Sequence, residues 1–561
     1  MCNGTTLQEW QARCLENLLS LDSVQVALLI IDDNANSQTI FDTIKEIRFN
    51  RICFHLYWRF LVRPRASRQV DMTNSLSKVP SIRCKVIKKE KFSQYFDEAD
   101  IRTIRGYDLD FILKFGFGSI GGEILNVARY GIWSFHHDDE EKYRGGPSCF
   151  WEIYNGDNVN GAILQRLTDR LDAIVVLKKG FLKTINYSYA KNINAVYFES
   201  ARWPAQICID IRNGNADYLN ASPSQTKAPV FYAPNNLQVL LFVIKTLRNF
   251  LSKRYNALFR HDQWNIGIIY EPIHVFLQPG AKPKIHYLRD PKKGKSLADP
   301  FGILINNKLT ILCEEFDYSS FKGTISSIEL IDGTYLPQPT VAIDLPVHMS
   351  YPYLFEYQGE IYCIPETSQA REISLYKAQK FPYRWIKVAT LIKNIAYVDA
   401  TVFQYEGLWW LTCTDKGSYF NLYVWYASEL LGPWKPHAAN PVKTDISSVR
   451  PAGTPFIYNS YLYRPAQDCS RTYGERIVLN RVTRLTPTEF KEEQAAVIEP
   501  YTNSPFPDGV HTVSSVGDIT LIDGKRFIFI GSAFKRVLIR WLTKIFRVSL
   551  TYTFMLYKKT N

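Results

Sequence analysis

The chain has 561 residues, long enough for about two to four domains, and its aromatic content of 14% is high for a globular protein. The formal net charge of +13 is scattered, with no long Lys/Arg block before the C-terminal tail. This disfavours nucleic acid as a partner and fits an anionic ligand, a membrane surface or ordinary solubility. Ten cysteines without Cys-x-x-Cys or metal-ligand spacing indicate reduced thiols in a cytoplasmic protein, and predict no metal site.

Residues 1–190 alternate helical and strand patterns, which predicts an α/β domain. An amphipathic helix is predicted at residues 7–19 with no signal peptide before it, and residues 24–32 are the apolar run of a buried parallel strand. A helix followed by a strand is the second half of a βαβ unit, so we expect the first strand to be missing. A further strand at 108–117 ends in a glycine turn, which places backbone N–H groups at the start of the next helix.

A polar loop follows the strand that ends at His136. It carries four acidic residues at 138–141, and Asp172 lies further along the chain. A histidine and an aspartate at strand ends can form a proton-transfer pair, because the carboxylate fixes the imidazole tautomer and raises its basicity. The alternative is a hydrogen-bonded core histidine and a helix-capping aspartate.

The motifs of this segment resemble the catalytic domain of folate-dependent formyltransferases. The matching positions are Gly131, Ile132, Trp133, His136, Tyr143, Arg144, Gly145, Asn155, Gly156, Asp157, Gly161, Leu171 and Asp172. The resemblance implies a Rossmann-like fold with the catalytic residues Ser134, His136 and Asp172. It also implies a 10-formyltetrahydrofolate site at Gly116, Phe117, Ile120, Tyr143, Arg144 and Gly145.

This chain departs from that family at two places. Ser134 stands where the family has its catalytic asparagine, and a hydroxyl donates one hydrogen bond but reaches less far than an amide. The acids at 138–141 replace the loop beside the folate, which indicates repulsion of a cofactor whose own tail is anionic. A different donor, or none, is therefore an open alternative.

Residues 191–260 are predicted to be a connector with a long, basic, amphipathic helix at 235–258. The apolar run of this helix is too short to cross a bilayer. We expect the helix to pack between two domains.

From residue 261 to 532 the pattern changes to β-structure with an internal repeat. Five hairpins can be superimposed, with predicted turns at 306–307, 358–359, 406–407, 459–460 and 523–524. This spacing is typical of propeller blades and predicts a five-bladed β-propeller after the α/β domain. The strand at 261–269 is expected to complete the last blade, so that the ring has no open sheet edge.

Hairpin geometry places the start of each first strand and the end of each second strand on the same face. Carboxylates, joined by two arginines, are therefore expected at one mouth of the channel. The candidate catalytic residues are Asp299, Glu366, Asp399 and Asp468, the candidate substrate-binding residues are Arg450 and Arg464, and Glu314 or Glu315 and Asp415 end strands on the same face. Neighbouring carboxylates push each other's pKa values apart, as glycosidases require. Alternatively, acids end strands because turns are polar.

This half resembles the N-terminal domain of the plant glucosamine inositolphosphorylceramide transferases and, more distantly, family 43 glycoside hydrolases. The matching motifs lie at 298–301, 364–366, 399–401, 432–434, 450–453 and 463–468. The resemblance implies a sugar, nucleotide-sugar or glycolipid substrate.

The tail at 533–561 reads as a basic helix with aromatic and leucine residues on one side. Such a helix can lie on the inner face of a membrane, or it can dock on the propeller or the connector helix. For the whole chain we expect a formyltransferase-like protein that acts on an amino sugar or glycan in surface polysaccharide or glycolipid synthesis. The alternative is a non-catalytic carbohydrate-binding protein with a degenerate formyltransferase fold.

Overall fold

A computed structural model of the chain describes residues 1–36, 49–88, 93–170, 173–331, 334–335 and 339–529. The predictions for Asp172 and for the tail at 533–561 lie outside these residues. The helices are α1 Glu9–Leu19, α2 Ile52–Phe60, α3 Thr73–Leu76, α4 Glu98–Arg105, α5 Trp151–Asn155, α6 Tyr189–Ser200, α7 Trp203–Arg212 and α8 Asn236–Phe259.

The strands before α8 belong to an α/β unit. They are β1 Thr6–Gln8, β2 Leu29–Asp32, β3 Gln69–Asp71, β4 Ser81–Cys84, β5 Ile87–Lys88, β6 Ser93–Tyr95, β7 Ile112–Lys114, β8 Ser119–Ile120, β9 Ile132–His136, β10 Arg144–Gly145, β11 Val159–Arg166, β12 Ala173–Lys183, β13 Ser224–Gln225 and β14 Val230–Phe231. Strands β7 and β9 pair in parallel, and β11, β12 and β13 extend the sheet in antiparallel order.

Residues 1 and 2 join this sheet to the parallel pair β2 and β4. The Cys2 amide donates to the Ile30 carbonyl (2.9 Å), and the Phe115 amide donates to the Met1 carbonyl (2.9 Å). The order across the sheet is therefore β4, β2, residues 1–2, β7 and β9. Residues 1 and 2 therefore occupy the position in the sheet where we expect a first strand to be missing.

Helix α8 packs against the α/β unit with only a narrow face. Val239 and Phe242 are buried, and Phe242 stacks on Phe150 with ring centroids 4.2 Å apart. Most of its other apolar side chains are exposed. The outer face of α8 is therefore exposed, and the prediction that the helix packs between two domains stays a prediction.

The strands from β15 onward form five antiparallel sheets. Sheet one contains β17 Lys295–Ile305, β18 Lys308–Asp317, β19 Lys322–Ile331, β20 Thr334–Tyr335 and β21 Thr340–Ile343; sheet two contains β22 Ser350–Tyr357, β23 Glu360–Glu366, β24 Glu372–Lys380 and β25 Arg384–Lys393. Sheet three contains β26 Tyr397–Tyr405, β27 Leu408–Asp415, β28 Asn421–Ala427, β29 Lys435–Pro436 and β30 Lys443–Thr444. Sheet four contains β31 Arg450–Pro451, β32 Phe456–Tyr458, β33 Tyr461–Asp468, β34 Arg476–Leu485 and β35 Phe490–Ile498. Sheet five combines β15 Arg260–Ile269 and β16 His286–Tyr287 with β36 Val513–Val516 and β37 Ile519–Phe529.

These sheets are arranged in a ring. The first strands β17, β22, β26 and β31 of successive sheets contact each other in turn, and β36 contacts β17. A backbone bridge between Gly453 and Val513 joins sheet four to sheet five. The prediction that the strand at 261–269 completes the last hairpin's sheet is confirmed, because β15 pairs with β37 along its whole length.

The hairpin turns at 306–307, 358–359, 406–407 and 459–460 lie between paired strands as predicted. The fifth turn is wrong: β37 runs straight through Asp523 and Gly524, and the hairpin turns at 517–518. The Asp523 carboxylate is buried and accepts the backbone N–H groups of His511 (2.9 Å) and Thr512 (3.1 Å). An Asp-Gly pair normally marks a turn, but here the aspartate accepts hydrogen bonds in the interior of the ring.

The α/β unit docks on sheets three and four. The Ile446 amide donates to the Phe181 carbonyl on β12 (2.9 Å), and the Gln206 side chain on α7 donates to the Pro441 carbonyl (3.1 Å). Within the described ranges, no helix has the combined length and apolar character of a membrane span.

Substitution of Gly453 tests how much the contact between sheets four and five stabilises the ring. A Cβ added at Gly453, whose φ is +127°, would lie 1.7 Å from the Val513 carbonyl oxygen. We expect Gly453→Ala to lower the free energy of unfolding by about 3 kcal/mol or more in urea titrations, through strain and overpacking.

Gly359→Ala is the matched control, because its φ is +74° but nothing lies within 4 Å of the added Cβ. It should cost about 1–2 kcal/mol, from the left-handed backbone alone. Equal losses for the two variants would show that contact between sheets four and five does not limit stability.

Candidate functional site

A cavity of about 630 Å³ lies at one mouth of the ring. Its wall combines carboxylates, cations and aromatic rings. The acids are Asp262, Asp299, Glu314 and Glu366, the lysines and arginine are Lys183, Lys416 and Arg450, and the aromatic residues include Trp264, Phe316, Tyr318, Phe321, Tyr419 and Tyr473. We call it the ring cavity.

Asp299, Tyr351 and Asp399 occupy equivalent positions in sheets one, two and three. Each lies in a bulge of the first strand of its sheet and has a left-handed backbone, with φ values of 53°, 42° and 54°. Such backbone is disfavoured for residues other than glycine, and a bulge changes the direction of a side chain. The repeated bulge places three side chains in the buried centre of the ring.

Asp299 is held by three groups. Its carboxylate accepts hydrogen bonds from the Thr512 hydroxyl (2.7 Å) and the Tyr351 amide (3.1 Å), and one oxygen lies 3.3 Å from His511 Nε2. Burial raises the pKa of Asp299, and His511 opposes that rise. This side chain is therefore fixed in position with an ionisable partner beside it.

His511 lies between two carboxylates. Its Nδ1 is 2.7 Å from Asp523, on the side opposite Asp299. Burial alone would lower the pKa of His511, but Asp523 and Asp299 raise it above its usual value. Ligand atoms of these three residues lie within 4.8 Å of one another and could hold a metal ion. Ion pairing of the imidazole with both carboxylates accounts for the arrangement without one.

Glu314 is the acid in the ring cavity that sequence reasoning left unresolved. Burial and repulsion from Asp299, Glu366 and Asp399 raise its pKa well above the usual range. The Gly323 amide donates to His348 Nδ1 (2.9 Å), so the other ring nitrogen, 3.7 Å from Glu314, carries the proton. Burial and repulsion therefore favour the protonated form of Glu314.

Glu315 faces the other side of the same strand. It binds Lys295 (2.5 Å) and accepts from the Ser326 hydroxyl (2.7 Å). The alternation of side chains along β18 sends only one of two adjacent glutamates into the cavity. The sequence did not reveal which one.

Glu366 also lines the ring cavity. Its two oxygens accept hydrogen bonds from the hydroxyls of Ser350 (3.0 Å) and Ser368 (2.6 Å). The Lys416 ammonium donates to the Ser368 hydroxyl (2.9 Å). Glu366 is therefore connected to Lys416 through one serine.

Asp399 lies behind Arg450. The guanidinium donates through both Nε and Nη2 to the two carboxylate oxygens, and Gln467 donates to the same carboxylate (3.0 Å). Tyr419 and Tyr473 lie 4.9 and 4.8 Å from the guanidinium carbon, on which their rings pack. Arg450 thus contributes to the cavity wall, while Asp399 orients and neutralises it.

The structure does not bring Arg464 and Asp468 to the ring cavity. Arg464 donates to Glu492 (2.9 and 2.7 Å), and Asp468 accepts from Arg476 (2.8 Å). Both residues satisfy charges between strands of sheet four, and neither lines the cavity. The other predicted end-of-strand acid, Asp415, accepts from the Ser418 amide (3.0 Å).

In the α/β unit, Ser134 is buried on β9 and His136 ends the same strand. His136 Nε2 lies 3.0 Å from the Tyr143 carbonyl oxygen, so this nitrogen carries the proton and Nδ1 is left as the acceptor. The Tyr143 hydroxyl donates to Asp157 (2.8 Å) and accepts from Asn155 (3.0 Å). Hydrogen bonds therefore connect three of the motifs that match the formyltransferases, at His136, at Tyr143 and at residues 155–157.

The space beside two of the glycines assigned to the folate site is occupied by other parts of the chain. A Cβ at Gly116 would lie 2.2 Å from the Asn3 side chain, and one at Gly145 would lie 2.1 Å from the Phe231 carbonyl oxygen. The remaining assigned residues are Phe117 with a φ of 63°, Ile120, which is buried, and Arg144, which pairs with Val230 in β14. These surroundings do not form a cradle for a cofactor. The assignment of 10-formyltetrahydrofolate stays a prediction.

The acids at 138–141 have partners of their own. The Lys179 ammonium on β12 lies 3.0 Å from Asp139 and 3.0 Å from Glu140. The Cys149 amide donates to Asp138 (2.6 Å), and burial raises the pKa of Asp138 to about 6. The loop acids therefore hold the loop to β12, and their interpretation as a barrier to an anionic cofactor stays a prediction.

Known proteins match the two parts of the chain separately. Residues 290–503 match the family model of glucosamine inositolphosphorylceramide transferase 1, N-terminal. Glucosamine inositolphosphorylceramide transferase 1 of Oryza sativa subsp. japonica is 37% identical over 204 residues, which cover 35% of this chain and 27% of the relative. A methionyl-tRNA formyltransferase of Agathobacter rectalis is 26% identical over 127 residues, which cover 22% of this chain and 40% of the relative.

Among solved structures, a family 117 glycoside hydrolase of the marine bacterium Zobellia galactanivorans has a TM-score of 0.31 at 16% identity, covering 49% of this chain and 91% of that chain. The resemblance to the N-terminal part of the plant transferase is confirmed, and the similarity to formyltransferases is weaker. The chain spans 27% and 40% of the lengths of these two curated relatives, so their activities are not transferred to it.

His511 gives a prediction for the pH dependence of stability. Because its pKa is raised in the folded protein, its contribution is complete below the unfolded value of about 6.5 and is lost as pH rises through the folded value. His511→Asn should therefore cost more stability at pH 6 than at pH 9, by roughly 1 kcal/mol, in urea unfolding at both pH values. A cost that is the same at both values would contradict the charged state of His511.

Proposed function

We propose that the ring cavity binds a sugar unit of a glycan or glycolipid, with Glu314 as proton donor and Asp299 as its carboxylate partner. The observation that carries this proposal is the pair itself: two carboxyl groups from adjacent strands line one cavity in different surroundings. Burial and repulsion among carboxylates raise the pKa of Glu314, while His511 opposes the rise in the pKa of Asp299. An acid and a base in one site are what cleavage or transfer at a glycosidic oxygen requires.

The remaining wall supports a sugar ligand. The volume of about 630 Å³ is within the range of small-molecule sites. Phe316, Tyr419 and Tyr473 offer aromatic faces beside hydrogen-bonding side chains. A pyranose has apolar faces and a polar rim, so aromatic side chains beside hydrogen-bonding groups suit it as a ligand.

The similarity to known proteins also supports a sugar or glycolipid as the ligand. The matched family is named for glucosamine and inositolphosphorylceramide, and the match spans sheets one to four of the ring. On this ground we propose that the ring is a five-bladed propeller that serves glycan or glycolipid synthesis. The α/β unit is proposed to be formyltransferase-like, with an amino sugar as its substrate. We assign no reaction step to this unit, since Asn3 and Phe231 occupy the space beside Gly116 and Gly145.

The decisive experiment uses the double variant Asp299→Asn, Glu314→Gln on a glycan array. We expect binding to fall at least about tenfold, because two buried hydrogen-bond partners of the sugar are altered. Glu406→Gln, in an exposed turn of sheet three, is the control and should bind like the original chain.

Turnover separates an enzyme from a binding protein. If the bound glycan is cleaved or transferred, Glu314→Gln alone should lower the rate at least about 100-fold while the glycan still binds. Binding without turnover would favour the non-catalytic alternative. Unchanged binding by the double variant would place the sugar elsewhere.

A further inference from the structure

The charges of the ring cavity are separated by sheet. The four acids come from sheets five, one and two, where Asp262 lies on β15, Asp299 and Glu314 on sheet one, and Glu366 on sheet two. The cations come from the opposite part of the ring. Lys416 follows β27 of sheet three, Arg450 lies on sheet four, and Lys183 belongs to the α/β unit. The cavity is therefore acidic on one wall and cationic on the other.

Lys183 reaches this wall from β12. Its ammonium donates to the carbonyl oxygens of Cys469 (3.0 Å) and Arg471 (3.2 Å), which hold it at the edge of sheet four. An ammonium has three N–H donors, so among the described residues one donor of Lys183 is left for a ligand. Partial burial lowers the pKa of Lys183, but its side chain stays exposed enough to meet a ligand.

Lys416 and Arg450 also have donors to offer. Lys416 uses one N–H group on Ser368, and Arg450 uses Nε and Nη2 on Asp399, within the described part of the chain. Asp399 neutralises Arg450, so the net positive charge of this wall comes from Lys183 and Lys416. Neither lysine has a carboxylate within ion-pair distance among the described residues.

We infer that the ring cavity selects sugars that carry an anionic group, a carboxylate or a phosphate, and that Lys183 and Lys416 bind that group while the acidic wall holds the sugar hydroxyls. This inference rests on the proposed function, which it deepens by naming the ligand class. It also makes the site composite, because one of the two cations is supplied by the α/β unit.

The test compares neutral sugars with anionic counterparts by titration calorimetry. The probes are glucose with glucuronate and glucose 6-phosphate, galactose with galacturonate, and N-acetylglucosamine with its 1-phosphate. We expect the anionic member of at least one pair to bind about tenfold more tightly, as for a hydrogen bond to a charged group. Comparing the carboxylates with the phosphates distinguishes the two sources of charge, and inorganic phosphate alone should bind weakly.

Lys183→Met and Lys416→Met should each reduce that preference by about threefold or more and leave neutral sugars unaffected. Lys191→Met, an exposed lysine of the same α/β unit, is the matched control and should keep the preference. Neutral sugars that bind without any anionic preference, or a preference that survives both variants, would overturn the inference but not the proposed function. Absence of binding by every sugar would count against both, and tight binding of phosphate alone would reduce the site to an anion site.

A second, independent observation concerns the outer face of α8. Exposed apolar side chains recur along it at helical spacing, and α2 beside it adds more. On α8 they are Leu237, Leu240, Leu241, Ile244, Leu247, Phe250, Leu251 and Tyr255, and around α2 they are Phe49, Leu56, Trp58, Phe60 and Leu61. The exposed fractions reach 63% at Leu237 on α8 and 85% at Phe49 beside α2. A continuous apolar surface of this kind marks an interaction site.

On the described residues of these two helices, the charged side chains are all positive. Helix α8 contains Lys245, Arg248, Lys253 and Arg254 and no acidic residue, and α2 contains Arg59 and no acidic residue. Leucine and aromatic side chains beside lysine and arginine are the pattern of a helix that lies in the interface of an anionic bilayer. A protein partner would show acids or hydrogen-bonding groups at its rim as often as cations.

We propose that the outer face of α8 with α2 docks on an anionic membrane surface. In vesicle co-sedimentation, the chain should bind phosphatidylcholine vesicles that contain phosphatidylserine better than phosphatidylcholine alone, and salt should weaken binding. The double variant Leu240→Gln, Ile244→Gln should lower partitioning about tenfold or more. Leu431→Gln, Ile457→Gln, two side chains of the ring that are each 62% exposed, is the matched control.

Three outcomes would overturn this proposal. Equal partitioning of the α8 variant and the original chain would place membrane contact elsewhere. A change of oligomeric mass with the α8 variant, without vesicle binding, would identify a second copy as the occupant. A lower melting temperature of that variant, again without vesicle binding, would show that the face is covered within the chain.

Discussion

Closure of the ring depends on a backbone contact that admits no side chain. The Val513 amide donates to the Ala452 carbonyl (2.8 Å), and the Thr454 amide donates to the Val513 carbonyl (3.1 Å), with Gly453 between them. This contact joins sheet four to a sheet that is itself assembled from both ends of the β region. Once it forms, the inner strands of sheets four and five are held together, and the ring of five sheets is complete.

The buried centre then sets the chemistry of the site. Carboxylates removed from water are costly unless they are bonded or protonated, and the two solutions occur side by side. Asp523, Asp299 and Asp399 are bonded to His511, to backbone amides and to Arg450. The pKa of Glu314, which has fewer such donors among the described residues, is instead raised by burial and by repulsion from its neighbours. The number of donors around each carboxyl group therefore decides how far its charged form is stabilised.

Much of this arrangement could be predicted from the sequence. Four of five turns, the strand that closes the ring, and the place of Asp299, Glu366 and Arg450 at one mouth follow from period-two patterning and hairpin geometry. The fifth turn could not be predicted, because Asp523 and Gly524 obey the local rule for a turn and are overridden by three buried backbone donors. Likewise the strand pattern puts Arg464 and Asp468 at the mouth, but cross-strand partners on sheet four, invisible in a linear sequence, bind them.

The two candidate sites lie on one sheet. His136 pairs with Ile163 on β11, and Ile163 pairs with Lys179 on β12. Lys179 holds the loop that follows His136, and Lys183, four residues further on, reaches the ring cavity. Two strand spacings and four residues of rise place His136 and Lys183 about 16 Å apart in the backbone. Because a paired strand is stiff, this backbone separation is fixed by the fold and sets the spacing between the two sites.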